Sequence, residues 1–99
     1  MHLLSKYFIG YIEIERQIDF YYQMKQIEKQ FELHLTVEGF ISERHKFKLQ
    51  HVFDVSHKPF SFGGGLLYLH TNQGVFPFQI QENPSNFIEG FRSLKIEHP

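Results

Sequence analysis

The chain predicts a mainly-β domain of the α+β type: about seven short antiparallel strands followed by one C-terminal helix. Three observations carry that reading. Apolar and polar residues alternate with a period of two in short runs between residues 7 and 81, broken by glycines and turn residues. Helical spacing is clear in one place, directly after Asn83-Pro84. The chain also holds 12 Phe and 5 Tyr among its 99 residues, a content that suits the half-buried face of a sheet.

Residues 7–14 are aromatic and β-branched and read as the first strand, with Gly10 marking a bulge. Residues 16–28 carry two periods. Ile18, Phe20, Tyr22 and Met24 alternate as in a strand, while Phe20, Met24, Ile27 and Phe31 fall at helical spacing. The Gln, Lys and Glu of 23–30 favour helix by propensity. Length and neighbours favour strand, and strand is the reading adopted. In residues 31–38 every odd position is apolar and every even one polar, which marks a strand with one wet face. Gly39 permits a tight turn into 40–42. Residues 46–49 continue the alternation and 52–55 follow. Residues 56–65, with Pro59 and three successive glycines, form the longest irregular stretch.

The last third is the clearest. Leu67 and Leu69 share one strand face, and Asn72-Gln73-Gly74 makes a short hairpin loop closed by a glycine. On the return strand Phe76, Phe78 and Ile80 face one way and Val75, Pro77, Gln79 and Gln81 the other. Pro77 has no amide to donate, so the strand lies at an edge or Pro77 faces an open side. Asn83 caps a helix with Pro84 at its first position. Phe87, Ile88, Phe91 and Leu94 form its apolar stripe. Gly90 in mid-helix costs about 1 kcal/mol against Ala, which close approach to the sheet explains.

The length and 41% apolar content predict one domain spanning residues 1–99 with its own core. There is no cysteine, hence no disulfide framework and no thiolate metal site. No apolar run approaches the ~20 residues of a membrane-spanning helix. Residues 1–6 lack the long apolar core of a leader, and a cytoplasmic location is expected. Ten basic and eleven acidic residues give a net charge of −1, without the basic footprint of a nucleic-acid binder. The seven histidines are scattered, without metal-ligand spacing, and read as surface groups. No metal and no cofactor is implied. The serines occupy no nucleophile elbow and Asp19 and Asp54 are the only aspartates, so catalysis has little to build on.

The order of elements resembles the bacterial pleckstrin-homology-like domains. A strand over 33–38 turns at Glu38-Gly39 into a short strand over 40–42. A basic stretch leads to a strand opening on Val52, and a Gly-rich loop, a hairpin and a terminal helix follow. The helix start, Asn83-Pro84-Ser85-Asn86-Phe87-Ile88, matches that family's "Pro, two residues, Phe-Ile" opening. The resemblance covers roughly residues 30–96, with 1–29 supplying the first two strands. It implies a bent antiparallel barrel plugged by the C-terminal helix, and a non-catalytic binding role toward lipid head groups, phosphopeptides or proteins. Inositide-binding members carry basic residues at the mouth of the first hairpin. The corresponding turn here, near Arg16 and Gln17, holds one Arg among acids, which argues against that ligand.

Two surfaces are candidates. Arg44, Lys46 and Lys48, with Lys58, form the basic set that would hold a phosphate or lipid head group. Lys46 and Lys48 share a strand face, roughly 6–7 Å apart. The competing reading is a solvated outer face with lysines guarding an edge. The loop at 57–65, with His57, Phe60 and Phe62, would anchor a protein partner or a second copy of the chain. Its glycines lack the Lys-Ser/Thr of a phosphate-binding loop. A dimer through Phe60 and Phe62 or a strand edge is expected, because a domain this small hides only ~60–70% of its chain surface and these aromatics exceed that capacity. The competing reading folds both rings back as a lid.

Overall fold

A computed structural model describes residues 7–97; residues 1–6, read above for a leader, and residues 98–99 lie outside it. Its elements are β1 (Tyr7–Ile18), β2 (Met24–Thr36), β3 (Gly39–Ile41), β4 (Lys46–Lys48), a 3₁₀ turn (Leu49–His51), β5 (Val52–Pro59), β6 (Gly65–Thr71), β7 (Gly74–Ile80) and α1 (Ser85–Glu97). All pairings are antiparallel, and the seven strands form one sheet in the order β4-β3-β2-β1-β7-β6-β5. The mainly-β class with one C-terminal helix is therefore as the sequence predicts. The sheet is strongly bent but open: β4 and β5 are its two edges and do not pair. Phe47 of β4 meets Phe76 of β7 at 4.9 Å between ring centres, although β3, β2 and β1 separate them in the hydrogen-bonded order. Only a sheet folded over itself permits that contact.

The concave face holds the core, including Ile9, Tyr11, Leu33, Leu35, Leu67 and Leu69. α1 plugs one end. Asn83 Oδ1 accepts from the Ser85 amide at 3.0 Å, as a cap does, and the helix opens at Ser85, one residue later than the expected start at Pro84. Phe87 and Phe91 are buried against Phe40, with ring centres 5.7 and 5.5 Å away. Gly90 lies on the Tyr7 ring so closely that a Cβ would stand 2.6 Å from its Cγ. Lys95 Nζ donates to the Leu49 carbonyl at 3.2 Å, tying the helix end to the 3₁₀ turn.

Several boundaries differ from the sequence reading. Register runs unbroken from Tyr7↔Leu35 through Gly10↔Glu32 to Ile18↔Met24, so Gly10 is no bulge. The bulge lies between Val52 and Asp54 instead. Residues 16–28 are strand, turn and strand within one hairpin, and its turn sits at 19–23 rather than at Arg16 and Gln17. The irregular stretch shrinks to residues 60–64, because Ser56 to Lys58 pair with Tyr68 to Leu66. β7 is an inner strand, yet β1 reaches it only at Gln79 and Ile80. Pro77 therefore sits on the part of β7 left open, the second of the two placements its missing amide allowed.

Candidate functional site

The β1–β2 hairpin outruns the sheet. β7 pairs with β1 only at Tyr11 and Ile12, and β3 pairs with β2 only from His34 onward. Residues 13–18 and 24–30 therefore make a two-stranded arm without a third strand among the described residues, about 20 Å long at ~3.4 Å per residue. It accounts for an elongated molecule of 54 × 35 × 26 Å. Strand alternation puts Ile12, Ile14, Arg16 and Ile18 on one face with their partners Gln30, Glu28, Gln26 and Met24. The other face carries Glu13, Glu15 and Gln17 against Lys29, Ile27 and Lys25. Lys29 Nζ lies 2.9 Å from Glu15 Oε2 and holds the Glu15 carboxyl below its ordinary pKa.

The tip is built tightly. Asp19 Oδ1 accepts from the amides of Tyr21 at 2.9 Å and Gln23 at 2.8 Å, and the Asp19 amide donates to the Gln23 carbonyl. Tyr22 closes the turn at φ 60°, the left-handed region where a bulky residue costs about 1–2 kcal/mol that glycine avoids. Phe20, Tyr21 and Tyr22 are 92%, 77% and 91% exposed, and Ile18 and Met24 behind them are exposed too.

The four predicted basic residues do not form one cluster. Arg44 is engaged: its Nε is 3.6 Å from Glu13 Oε1 and its guanidinium lies 5.1 Å from the centre of the Phe31 ring. Lys46 and Lys48 stand exposed on edge strand β4 and Lys58 on the opposite edge strand β5. Ser42 organises the Arg44 segment. Its Oγ accepts from Tyr11 Oη at 2.9 Å, from the His45 amide at 3.0 Å and from the Arg44 amide at 3.2 Å. Burial pushes the Tyr11 hydroxyl's pKa up, so it stays a neutral donor.

The predicted loop is a tight turn at 60–64, closed by the Phe60 amide on the Gly64 carbonyl at 2.9 Å. Phe60 and Phe62 stack on each other at 5.2 Å, and Phe62 is exposed rather than folded back as a lid. His57 belongs to β5 and shares the inward face with Val55; its Nε2 is buried beside Gly65 without a hydrogen-bond partner.

Two arrangements escaped sequence reasoning. Ser56 Oγ and His70 Nε2 share a 2.7 Å hydrogen bond across β5 and β6. It lies on the convex sheet face, where Asp54 stands opposite His70 in the register, though no ion pair joins the two among the described residues. His34 and His70 do not meet, since β1 and β7 separate their strands. A groove of about 750 Å³ opens beside Gly10, Ile12, Glu32, Glu43 and Glu82, with Glu82 Oε1 accepting from the Gly10 amide. The arm itself had a signal, the Ile12-Ile14-Ile18-Met24 alternation. No sequence feature told that no third strand covers it.

Among the described residues no helix is long and apolar enough to cross a membrane. No family model, curated protein or solved structure matches the chain.

Proposed function

We propose that this is a non-catalytic, pleckstrin-homology-like interaction module that associates with a second copy of itself through the β1–β2 arm. The observation that carries the reading is the arm: a face bearing exposed Ile14, Ile18 and Met24 and an aromatic tip, held out from the body and left uncovered by the described residues. Two-stranded ribbons are marginal alone in water, so the arm gains most from being covered. Tyr22 at positive φ adds a local cost that a binding tip explains and a mere connection does not.

Charge favours a second copy as the occupant. On the apolar face of the arm Arg16 and Glu28 are the only charged residues, on opposite strands and one pair apart. Two arms packed antiparallel about a two-fold axis bring each Arg16 beside the other's Glu28 and merge Ile14, Ile18 and Met24 into one apolar patch. A net charge of −1 opposes pairing little. This moves the contact away from Phe60 and Phe62, whose stacked pair is a smaller apolar surface than the arm.

Light scattering with size-exclusion chromatography tests it at micromolar concentration. The expected result is a dimer mass that falls to one chain in Ile18→Ser with Met24→Ser, while the circular dichroism of the body stays unchanged. Arg16→Glu should weaken the dimer and Arg16→Glu with Glu28→Arg restore it. A monomeric parent sinks the reading, and so does a dimer lost in Phe60→Ser with Phe62→Ser but not in the arm variants. Capture of a different protein by the arm, with the parent monomeric, identifies a heterologous partner in place of the copy.

A further inference from the structure

We infer that the groove at the base of the arm receives the aromatic tip of a second copy's arm, Phe20 and Tyr21 foremost; the inference rests on the self-association proposed above and assigns its outermost contact. Gly10 and Ile12 line the groove from β1, Gln30 and Glu32 from β2, and Glu43 and Glu82 from the β3–β4 and β7–α1 connections, around about 750 Å³. Strand alternation puts Gly10, Ile12, Gln30 and Glu32 on the face that carries Ile14, Ile18 and Met24. The groove is therefore the continuation of the arm's exposed face onto the body.

Register fixes what lies over it. Glu28 pairs with Ile14, and Arg16 stands one same-face pair nearer the tip. Setting each Arg16 beside the other copy's Glu28 in antiparallel arms leaves a single offset. The Ile18–Met24 pair of one copy then covers the Ile12–Gln30 pair of the other. The turn beyond it, about two residues further at ~3.4 Å each, comes over Gly10 and Glu32.

Two properties of the groove suit that occupant. Gly10 is the first. Its φ is not positive, its register is unbroken, and among the described residues a Cβ there would meet only the Phe31 carbonyl oxygen, at an ordinary contact distance of 3.8 Å. The surrounding fold thus accepts a side chain, while glycine in a strand interior weakens the strand. A ring laid on the bare backbone accounts for the glycine, since aromatic cover compensates a strand glycine.

Charge is the second. Glu32, Glu43 and Glu82 supply carboxylate oxygens, and no lysine or arginine lines the groove. Ring edges carry the positive end of the aromatic quadrupole, and tyrosine hydroxyls donate to carboxylates. Phe20 and Tyr21 already pack edge to face, with 5.7 Å between ring centres, so the tip presents a preformed pair. The volume of about 750 Å³ equals about 25 waters at ~30 Å³ each, room for both rings.

Mixed cross-linking of the full chain decides the matter, because the sequence holds no cysteine to compete. Gln23 and Gln30 are both exposed. Protein with Gln23→Cys and protein with Gln30→Cys are combined at micromolar concentration and treated with a short bismaleimide. A mixed dimer is expected, with no product from Gln23→Cys alone, because the two tips lie at opposite ends of the paired arms. Gly10→Val should weaken the dimer about tenfold in a light-scattering dilution series while the monomer's Tm is unchanged or raised. Phe20→Ser with Tyr21→Ser should weaken it as much. A dimer lost in Ile18→Ser with Met24→Ser but untouched by Gly10→Val and by the tip variant overturns the tip contact and leaves the arm pairing standing. Cross-linking of Gln23→Cys to itself, or a dimeric parent without the mixed product, does the same. A monomeric parent overturns both.

Discussion

Ser42 shows how much one hydroxyl organises. Tyr11 of β1 and the amides of Arg44 and His45 all converge on its oxygen, so the turn before β4 is tied to the core through one atom. Ser42→Ala leaves a buried tyrosine hydroxyl without its acceptor, at a cost of about 1–3 kcal/mol. At roughly 4–8 °C per kcal/mol for a domain this size, a drop in Tm of at least a few degrees is expected by calorimetry. An unchanged Tm would show that the three donors find other acceptors. Gly90 is the second residue of this kind. In an open helix Gly→Ala gains about 1 kcal/mol. Here the new methyl meets the Tyr7 ring near its base, where rotation cannot clear it. Gly90→Ala is therefore expected to lower Tm, with overpacking costing about 1–3 kcal/mol.

At the scale of elements, α1 and the arm are opposites. α1 is held by burial: Phe87 and Phe91 pack on Phe40 and close the end of the sheet. Phe91→Ala should cost about 3–5 kcal/mol, a large part of the ~5–15 kcal/mol a domain has. A thermal midpoint within a couple of degrees of the parent would contradict the docked helix. The arm is held by cross-strand pairs and its tip, and its electrostatics are legible by titration. The hydrogen bond and charge of Lys29 lower the Glu15 pKa. Stability from this pair is present above the ordinary carboxylate pKa and fades as pH falls through the lowered one. The effect is small, because both side chains are solvated. Carboxyl-detected NMR should find Glu15 titrating below an ordinary glutamate, and Lys29→Met should return it to the usual range.

Across the whole molecule, a bent sheet with one plugged end and one projecting arm predicts uneven stability. Amides of 13–18 and 24–30 should exchange with solvent faster than those of β6 and β7 at low protein concentration, and become protected as association proceeds. Equal protection at the lowest concentration would mean the arm is ordered without a partner. Most of the strands and the helix were determined by the sequence itself, because their information is local: period-two alternation up to Thr36, the Asn83-Pro84 cap, and the stripe of Phe87, Ile88, Phe91 and Leu94; residues 16–28 carried two periods, and pairing made them a hairpin. Gly90's close approach was legible for the same reason, a propensity cost within a helix that packing had to offset. Tertiary structure alone decided the rest. Whether a strand has neighbours depends on where distant strands end, so nothing between Ile12 and Gln30 announced that β7 and β3 stop short and leave an arm. Glu82 meets Gly10, 72 residues away, in one groove only because the segment after β7 folds back against β1. Alternation tells which residues share a face; which faces stay uncovered is settled by how the sheet bends.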